Sequence, residues 1–297
     1  MRRRSRPLSR FHAMRRLAFT GALVAAALMV APGGALGASV AGGAGGANVN
    51  WLPEVEGAER VVVPGDGLKL VGYLFRPEVG HEPAPAVVIL HDAFGGSWQM
   101  ANFARSLASE GYVTLALSMR GSSGSDGVAS CGARDPADVA EAVAWLGGLE
   151  GVDPTRMGVV GISEGGRVAL MAAARSHLVR SVVAFSPETD MVRLRATTQF
   201  YGIPEYIDTA CAPFGLSNIS PANFAPSIHA SVLLVHGDDD IRVPAEQSVL
   251  MYEALESAGK IADVRFLRGA GHTYREQDWA LAWPWTLQHL KKTLRAR

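Results

Sequence analysis

Three polar residues stand where a nucleophile, a general base and an orienting acid would have to stand. Ser163 lies in Gly161-Ile162-Ser163-Glu164-Gly165-Gly166, between an apolar run at 157–160 and a stretch of helical spacing at 164–175. A strand that reverses into a helix within one tight turn forces the serine into a strained conformation, and flanking glycines remove side chains that would collide with neighbouring backbone. The turn exposes Oγ at the top of a sheet, above a helix N-terminus that favours developing negative charge. A phosphate-binding turn would also be glycine-rich, but the lysine and the Ser/Thr it needs are missing.

A serine hydroxyl is a poor nucleophile until an imidazole takes its proton, and the imidazole needs a carboxylate to fix its tautomer. His236-Gly237-Asp238-Asp239-Asp240 starts at the end of the apolar run 231–235 and offers three carboxylates. Gly269-Ala270-Gly271-His272 follows the run 264–267, and of the eight histidines only His272 follows a strand beyond those acids in a glycine-rich loop. The order nucleophile, acid, base and the strand-end placement of all three fit acyl transfer.

The positioning elements are legible as texture. Residues 61–63 and 68–75 flank Pro64-Gly65-Asp66-Gly67, a turn between two β-rich runs, so an antiparallel hairpin opens the domain. Continuous apolar runs at 86–90, 112–117, 157–160, 181–185 and 231–235 read as strands buried on both faces of a parallel sheet. Helical patterns fall between them at 97–110, 135–146, 164–175, 244–258 and 278–292. The expected fold is therefore an α/β architecture, a mostly parallel eight-stranded sheet with an N-terminal antiparallel hairpin, helices on both faces and function at the carboxyl ends of the strands. Residues 187–230 are long, aromatic and proline-punctuated, which reads as a short cap or lid over the site; the alternative is a helical insertion packed on the core.

With these residues in place, the chain resembles the α/β-hydrolases of the dienelactone hydrolase and prolyl-oligopeptidase-like group over residues 55–295. His236-Gly-x-x-Asp240-x-x-Val243-Pro244 resembles the motif that carries the family's acid, which implies Asp240 rather than Asp239 or Asp238 as the partner of His272. The resemblance also implies an oxyanion hole from two backbone N–H groups, those of Glu164 and of Ala93 in the loop His91-Asp92-Ala93-Phe94-Gly95-Gly96, with Phe94 as the alternative. Arg120-Gly121-Ser122-Ser123-Gly124-Ser125 resembles a supporting loop of these hydrolases, with Arg120 expected to anchor backbone carbonyls. Three departures matter. Dienelactone hydrolases proper carry a cysteine nucleophile where this chain has Ser163, and the length leaves no expectation of the propeller domain of prolyl oligopeptidases. Glu164 is acidic where an apolar or aromatic residue is expected; its charge either disfavours anionic substrates or is spent on a basic neighbour.

The chain of 297 residues carries 28 basic and 28 acidic side chains, but that balance joins two different pieces. Residues 1–50 hold seven arginines and no acid, which leaves the remainder at a net charge of −7 and excludes a nucleic-acid binder. Residues 17–30 are uncharged and apolar, preceded by arginines and followed by small residues, so residues 1–38 read as a signal peptide, 39–50 as a Gly/Ala linker and 51–297 as the hydrolase domain. Export to the periplasm or exterior is expected, with membrane attachment only if the signal segment is retained. In that compartment Cys131 and Cys211 form an even pair and a disulfide is favoured over two buried thiols. Histidines and acids lack zinc-ligand spacing and no C-x-x-C pair occurs, so neither metal nor cofactor is expected. The expected activity is that of an exported serine carboxylesterase on a small-molecule ester, the rivals being a serine peptidase, an acyltransferase and a non-catalytic binding scaffold.

Overall fold

The computed structural model describes residues 47–78 and 83–294; the expected signal segment and most of the expected linker lie outside them. Eight strands form one sheet: β1 (Glu59–Pro64), β2 (Lys69–Phe75), β3 (Ala84–Leu90), β4 (Val113–Leu117), β5 (Val152–Ile162), β6 (Val179–Phe185), β7 (Ser231–Gly237) and β8 (Ala262–Leu267). Their order across the sheet is β1-β2-β4-β3-β5-β6-β7-β8. β2 pairs antiparallel with both β1 and β4, and every other pairing is parallel, so β2 is the one strand running against the rest. This is the α/β-hydrolase architecture expected.

Side-chain alternation along β3 shows why the sheet must be covered twice. Ala86, Val88 and Leu90 enter one apolar cluster, together with α2 (Asp135–Gly147), α3 (Glu164–Arg175) and α6 (Glu246–Ser257). Val87 and Ile89 enter the opposite cluster, with α1 (Ser97–Ser109) and α7 (Glu276–Leu294). Both faces of each central strand are apolar because neither meets water. Helix ends follow local chemistry: α2 opens with Asp135 and Pro136, an acid and a proline in the first turn. The chain after α1 turns at Gly111 with φ +86°, a conformation glycine adopts without strain.

Two features of the loops at the strand ends hold the site side together. Arg120 takes a carboxylate rather than the expected carbonyls, donating from Nε and Nη2 to Asp138 at 2.7 and 2.8 Å, and Asp138 also accepts the N–H of Asp66 at 2.9 Å. This buried pair pins the β4–α2 loop and the hairpin turn to α2. The segment 187–230 carries its own structure: α4 (Met191–Thr197), α5 (Ile203–Tyr206), a π-turn at Ile207–Cys211 and three short 3-10 turns. Its Met191, Leu194, Ile207, Cys211 and Ile219 make a satellite apolar cluster with Cys131 and Val243.

Within that cluster Cys131 and Cys211 are joined by a disulfide that closes a loop of 80 residues in sequence separation. Cross-linking so long a loop removes much entropy from the unfolded chain, about 4 kcal/mol by the chain-entropy relation. Denaturant titration of Cys131→Ala/Cys211→Ala is expected to show a loss of stability of that order, and the same loss should follow from adding a dithiol reductant to the unaltered protein.

Candidate active site

The turn between β5 and α3 is one residue long. Ser163 takes φ +55° and ψ −118°, outside the helical and extended regions, and its N–H donates to Phe185 O on β6 at 2.8 Å while its carbonyl accepts from Arg167 N at 3.0 Å. Such a backbone persists only where its surroundings over-determine it. Here they do so through close approach. A Cβ on Gly161 would strike the backbone of Gly165, and a Cβ on Gly165 would strike the carbonyl oxygen of His91, so the first turn of α3 sits directly against the end of β3. Glycine is required at both positions for that reason.

Sequence-distant loops then complete the site. His272, in the loop after β8, accepts from the Ser163 hydroxyl at Nε2 (3.0 Å) and donates from Nδ1 to Asp240 Oδ2 (2.7 Å). Asp240 Oδ1 is held by the N–H groups of Arg242 and Val243, at 2.9 and 3.0 Å. Burial would push the Asp240 carboxyl up, but the adjoining His236 ring and hydrogen bonds from His272 and Val243 N–H outweigh it and hold the group well below the usual carboxylate range. His236 is buried and single in its tautomer: Nδ1 accepts from Ser248 Oγ (2.7 Å), and Nε2 donates to Val243 O (2.8 Å) while lying 3.5 Å from Asp240 Oδ2. Asp238 and Asp239 are exposed; Asp238 instead caps Gly269 N at 2.6 Å, fastening the histidine-bearing loop.

The two expected oxyanion donors are both free. Glu164 is the first residue of α3, and neither its N–H nor that of Ala93 meets an acceptor among the described residues. Phe94 N–H, the alternative, is turned to Asp92 Oδ1 at 3.3 Å, so the geometry favours Ala93. The loop bearing Ala93 is fixed by His91, which donates from Nδ1 to Asp92 O (2.7 Å) and accepts Met119 N–H at Nε2 (3.0 Å). Burial lowers the His91 pKa, which keeps the ring neutral and the Nε2 acceptor available.

Comparison with known proteins agrees with this architecture. The sequence model of the prolyl oligopeptidase family (peptidase S9) matches residues 98–293. The chain belongs to the prolyl oligopeptidase family. A Yersinia pestis protein named "Putative carboxymethylenebutenolidase" is 23% identical over 261 residues, 77% of this chain and 88% of that protein. Among solved structures, acylaminoacyl peptidase of Pyrococcus horikoshii superposes with a TM-score of 0.68 at 22% identity, over 80% of this chain. The chain spans only 41% of that peptidase. Acetyl xylan esterase 1 of Thermoanaerobacterium sp. JW/SL YS485 superposes with a TM-score of 0.61 at 21% identity, over 81% of this chain and 85% of the esterase. The protein is thus a serine hydrolase of the prolyl-oligopeptidase and dienelactone hydrolase-like group.

A buried ionic cluster surrounds Glu164. Its Oε2 accepts from Arg167 Nη2 (3.1 Å) and from the hydroxyl of Tyr206 on α5 (3.2 Å). Arg167 is fully buried and also donates to Glu188 Oε2 (2.9 Å) and Cys131 O (2.8 Å). Burial, with repulsion from Glu188 and Asp135, outweighs Arg167 and Tyr206 and pushes the Glu164 carboxyl up to about 7. Tyr206 also stacks edge-on against Phe94 at 5.5 Å between ring centroids. Sequence reasoning offered a basic partner for Glu164 only in general terms; the spacing Glu164-x-x-Arg167 on one helical turn is the signal that names it. No comparable signal exists for Tyr206, 42 residues away.

Because Asp240 alone reaches His272, Asp240→Asn is expected to lower kcat/KM for any substrate by about 10³-fold or more, while Asp239→Asn stays within about threefold. Comparable losses in the two variants would overturn the choice of acid.

Proposed function

We propose that this protein hydrolyses carboxylic esters through an acyl-enzyme on Ser163 and does so outside the cytoplasm. The observation that carries the reading is the unbroken hydrogen-bond chain Ser163–His272–Asp240 beside two free backbone donors. As Ser163 Oγ bonds to the ester carbonyl carbon, its proton passes to His272 Nε2, and Asp240 steadies the imidazolium. The carbonyl oxygen gathers negative charge within reach of the N–H groups of Glu164 and Ala93. Collapse of the adduct breaks the ester C–O bond, and the departing alkoxide takes the proton from Nε2. Water then repeats the sequence, its proton moving to His272 as its oxygen replaces Ser163, which releases the acid. No metal or cofactor is needed at any step.

Two further facts support ester over amide. The relatives matched over most of their own length carry names that refer to ester-bond cleavage, a butenolide lactone in one case and an acetyl ester in the other. The rim of the site is also aromatic, with Phe94 69% exposed against Tyr206, a surface suited to an apolar acyl or alcohol group. The peptidase reading is supported by the family and by the acylaminoacyl peptidase fold match. Export is supported by the apolar segment 17–30 behind its arginines and by the disulfide, which persists in oxidising compartments.

A fluorophosphonate probe should label the purified protein at Ser163, and p-nitrophenyl esters should be cleaved far faster than matched p-nitroanilides. Ser163→Ala should abolish labelling and reduce ester hydrolysis by about 10⁴-fold or more. Labelling that survives the substitution would remove Ser163 from its role, and anilide rates rivalling ester rates would establish the peptidase instead. For export, the mature chain isolated from its source should begin near residue 38 and be acidic.

A further inference from the structure

We propose that the Glu164 side chain makes the site selective for esters that carry a cationic group near the scissile bond, and against esters that carry an anionic one. The proposal rests on the ester-hydrolase reading above and names the substrate class for that same site.

The geometry begins with adjacency. Glu164 follows the nucleophile directly in the chain, and Tyr206, which donates to the Glu164 carboxyl, packs its ring edge-on against Phe94, the neighbour of the other expected oxyanion donor. Glu164, Tyr206 and Phe94 therefore form one wall on the oxyanion side of Ser163. Two adjoining aromatic rings with a carboxylate bonded to the hydroxyl of one are chemically suited to an ammonium group, which gains from ring faces as well as from the charge.

The charges around that wall do not cancel. Arg167 on α3 is shared between Glu164 and Glu188, the latter from the loop after β6, and Asp135 at the start of α2 adds to the negative side. Tyr206 from α5 contributes a neutral hydroxyl, and His272 approaches Ser163 from the loop after β8. Arg167 is fully buried, with donors directed at Glu164, Glu188 and the carbonyl and sulfur of Cys131, so it does not reach out to a substrate carboxylate. Arg242, two residues beyond Asp240, lies with its guanidinium over the Phe200 ring at 4.4 Å. One guanidinium between two carboxylates leaves a surplus negative charge beside the reacting carbonyl whenever Glu164 is ionised. At a separation of about 10 Å and an effective dielectric constant of ~20, a unit charge changes the preference for one sign of substrate over the other by roughly tenfold or more.

The selectivity must then follow the protonation of Glu164. The carboxyl is raised to about 7, so it is neutral below that pH and ionised above it, and cation preference grows as pH rises through neutrality. Tyr206 donates to the ionised form and holds the transition down. Removing its hydroxyl should move the transition upward.

The test compares p-nitrophenyl esters of one acyl length that end in a trimethylammonium, a tert-butyl or a sulfonate group, with Ser163→Ala as the background. Neither charge titrates, and the ionisation of His272 divides out of the ratio of two kcat/KM values. The ratio for trimethylammonium over sulfonate is expected to rise about tenfold or more between about pH 5.5 and about pH 8.5. In Glu164→Gln the ratio should be flat and low across the range, and in Tyr206→Phe it should rise with a midpoint above that of the unaltered protein. A constant ratio in the unaltered protein overturns the proposal, as does a pH-dependent ratio that survives in Glu164→Gln. If Glu164→Gln does not fold, the unaltered profile and the Tyr206→Phe midpoint decide. Cleavage of the tert-butyl ester with a flat ratio removes only the selectivity, whereas no cleavage of any ester above background removes the ester-hydrolase reading along with it.

Discussion

The first turn of α3 folds back so close to the end of β5, and lies so close to the end of β3, that neither Gly161 nor Gly165 has room for a Cβ. That approach converts a strand-to-helix connection into a single strained residue, Ser163, and it brings the free N–H groups at the start of α3 beside the loop that carries Ala93. Nucleophile and oxyanion donors are thus products of one packing contact. The strain at Ser163 is offset by ordinary interactions: its N–H is satisfied by β6, its carbonyl by α3, and the apolar residues of α3 are buried against the sheet. The strained conformation can persist because so much surrounding structure depends on it.

The other half of the triad is set by polar contacts rather than by close packing. Asp240 is fixed because two consecutive backbone N–H groups close on one of its oxygens, leaving the other aimed at His272. His236 belongs to the same device. By bonding Val243 O and Ser248 it fixes the turn in which Asp240 sits, and its ring lies close to the carboxylate without displacing the bond to His272. Asp238 serves the opposite loop by capping Gly269. Three adjacent aspartates therefore differ in role because the turn points each in a different direction.

This difference also marks the limit of what residue types alone could reveal. The central strands were legible because burial on both faces leaves continuous apolar runs, and the serine turn because its glycines and flanking elements occur together. The first half of β5 was not, since its polar residues and Pro154 give no apolar run, and β8 was only partly so because it is an edge strand with alternating exposure. Among the three aspartates the sequence pattern could choose only through resemblance to a family motif, because the deciding feature is the direction of two N–H groups. The segment 187–230 folds into two short α-helices and short 3-10 and π turns, none long enough to leave a clear periodicity, so the placement of Tyr206 over Glu164 had no local signal.

Substrate choice in this architecture is separable from catalytic competence. Ester and amide cleavage use the same nucleophile, base and oxyanion donors, and differ in how the leaving group is held while it takes its proton. The surfaces that can hold it here come from outside the triad: Phe94 from the β3 loop, Tyr206 from α5, and Glu164 through its side chain. Tyr206 is tied to the body twice, by its own bond to Glu164 and by the disulfide at Cys211 one turn further on, whose partner Cys131 also receives Arg167 through its carbonyl. The Glu164 carboxyl is therefore held from one side by Tyr206 and from the other by a guanidinium that is itself anchored to Glu188 and to the carbonyl of Cys131. Replacing Arg167 would consequently disturb at once the ion-pair partner and the position of the carboxylate next to Ser163, although the guanidinium itself is fully buried.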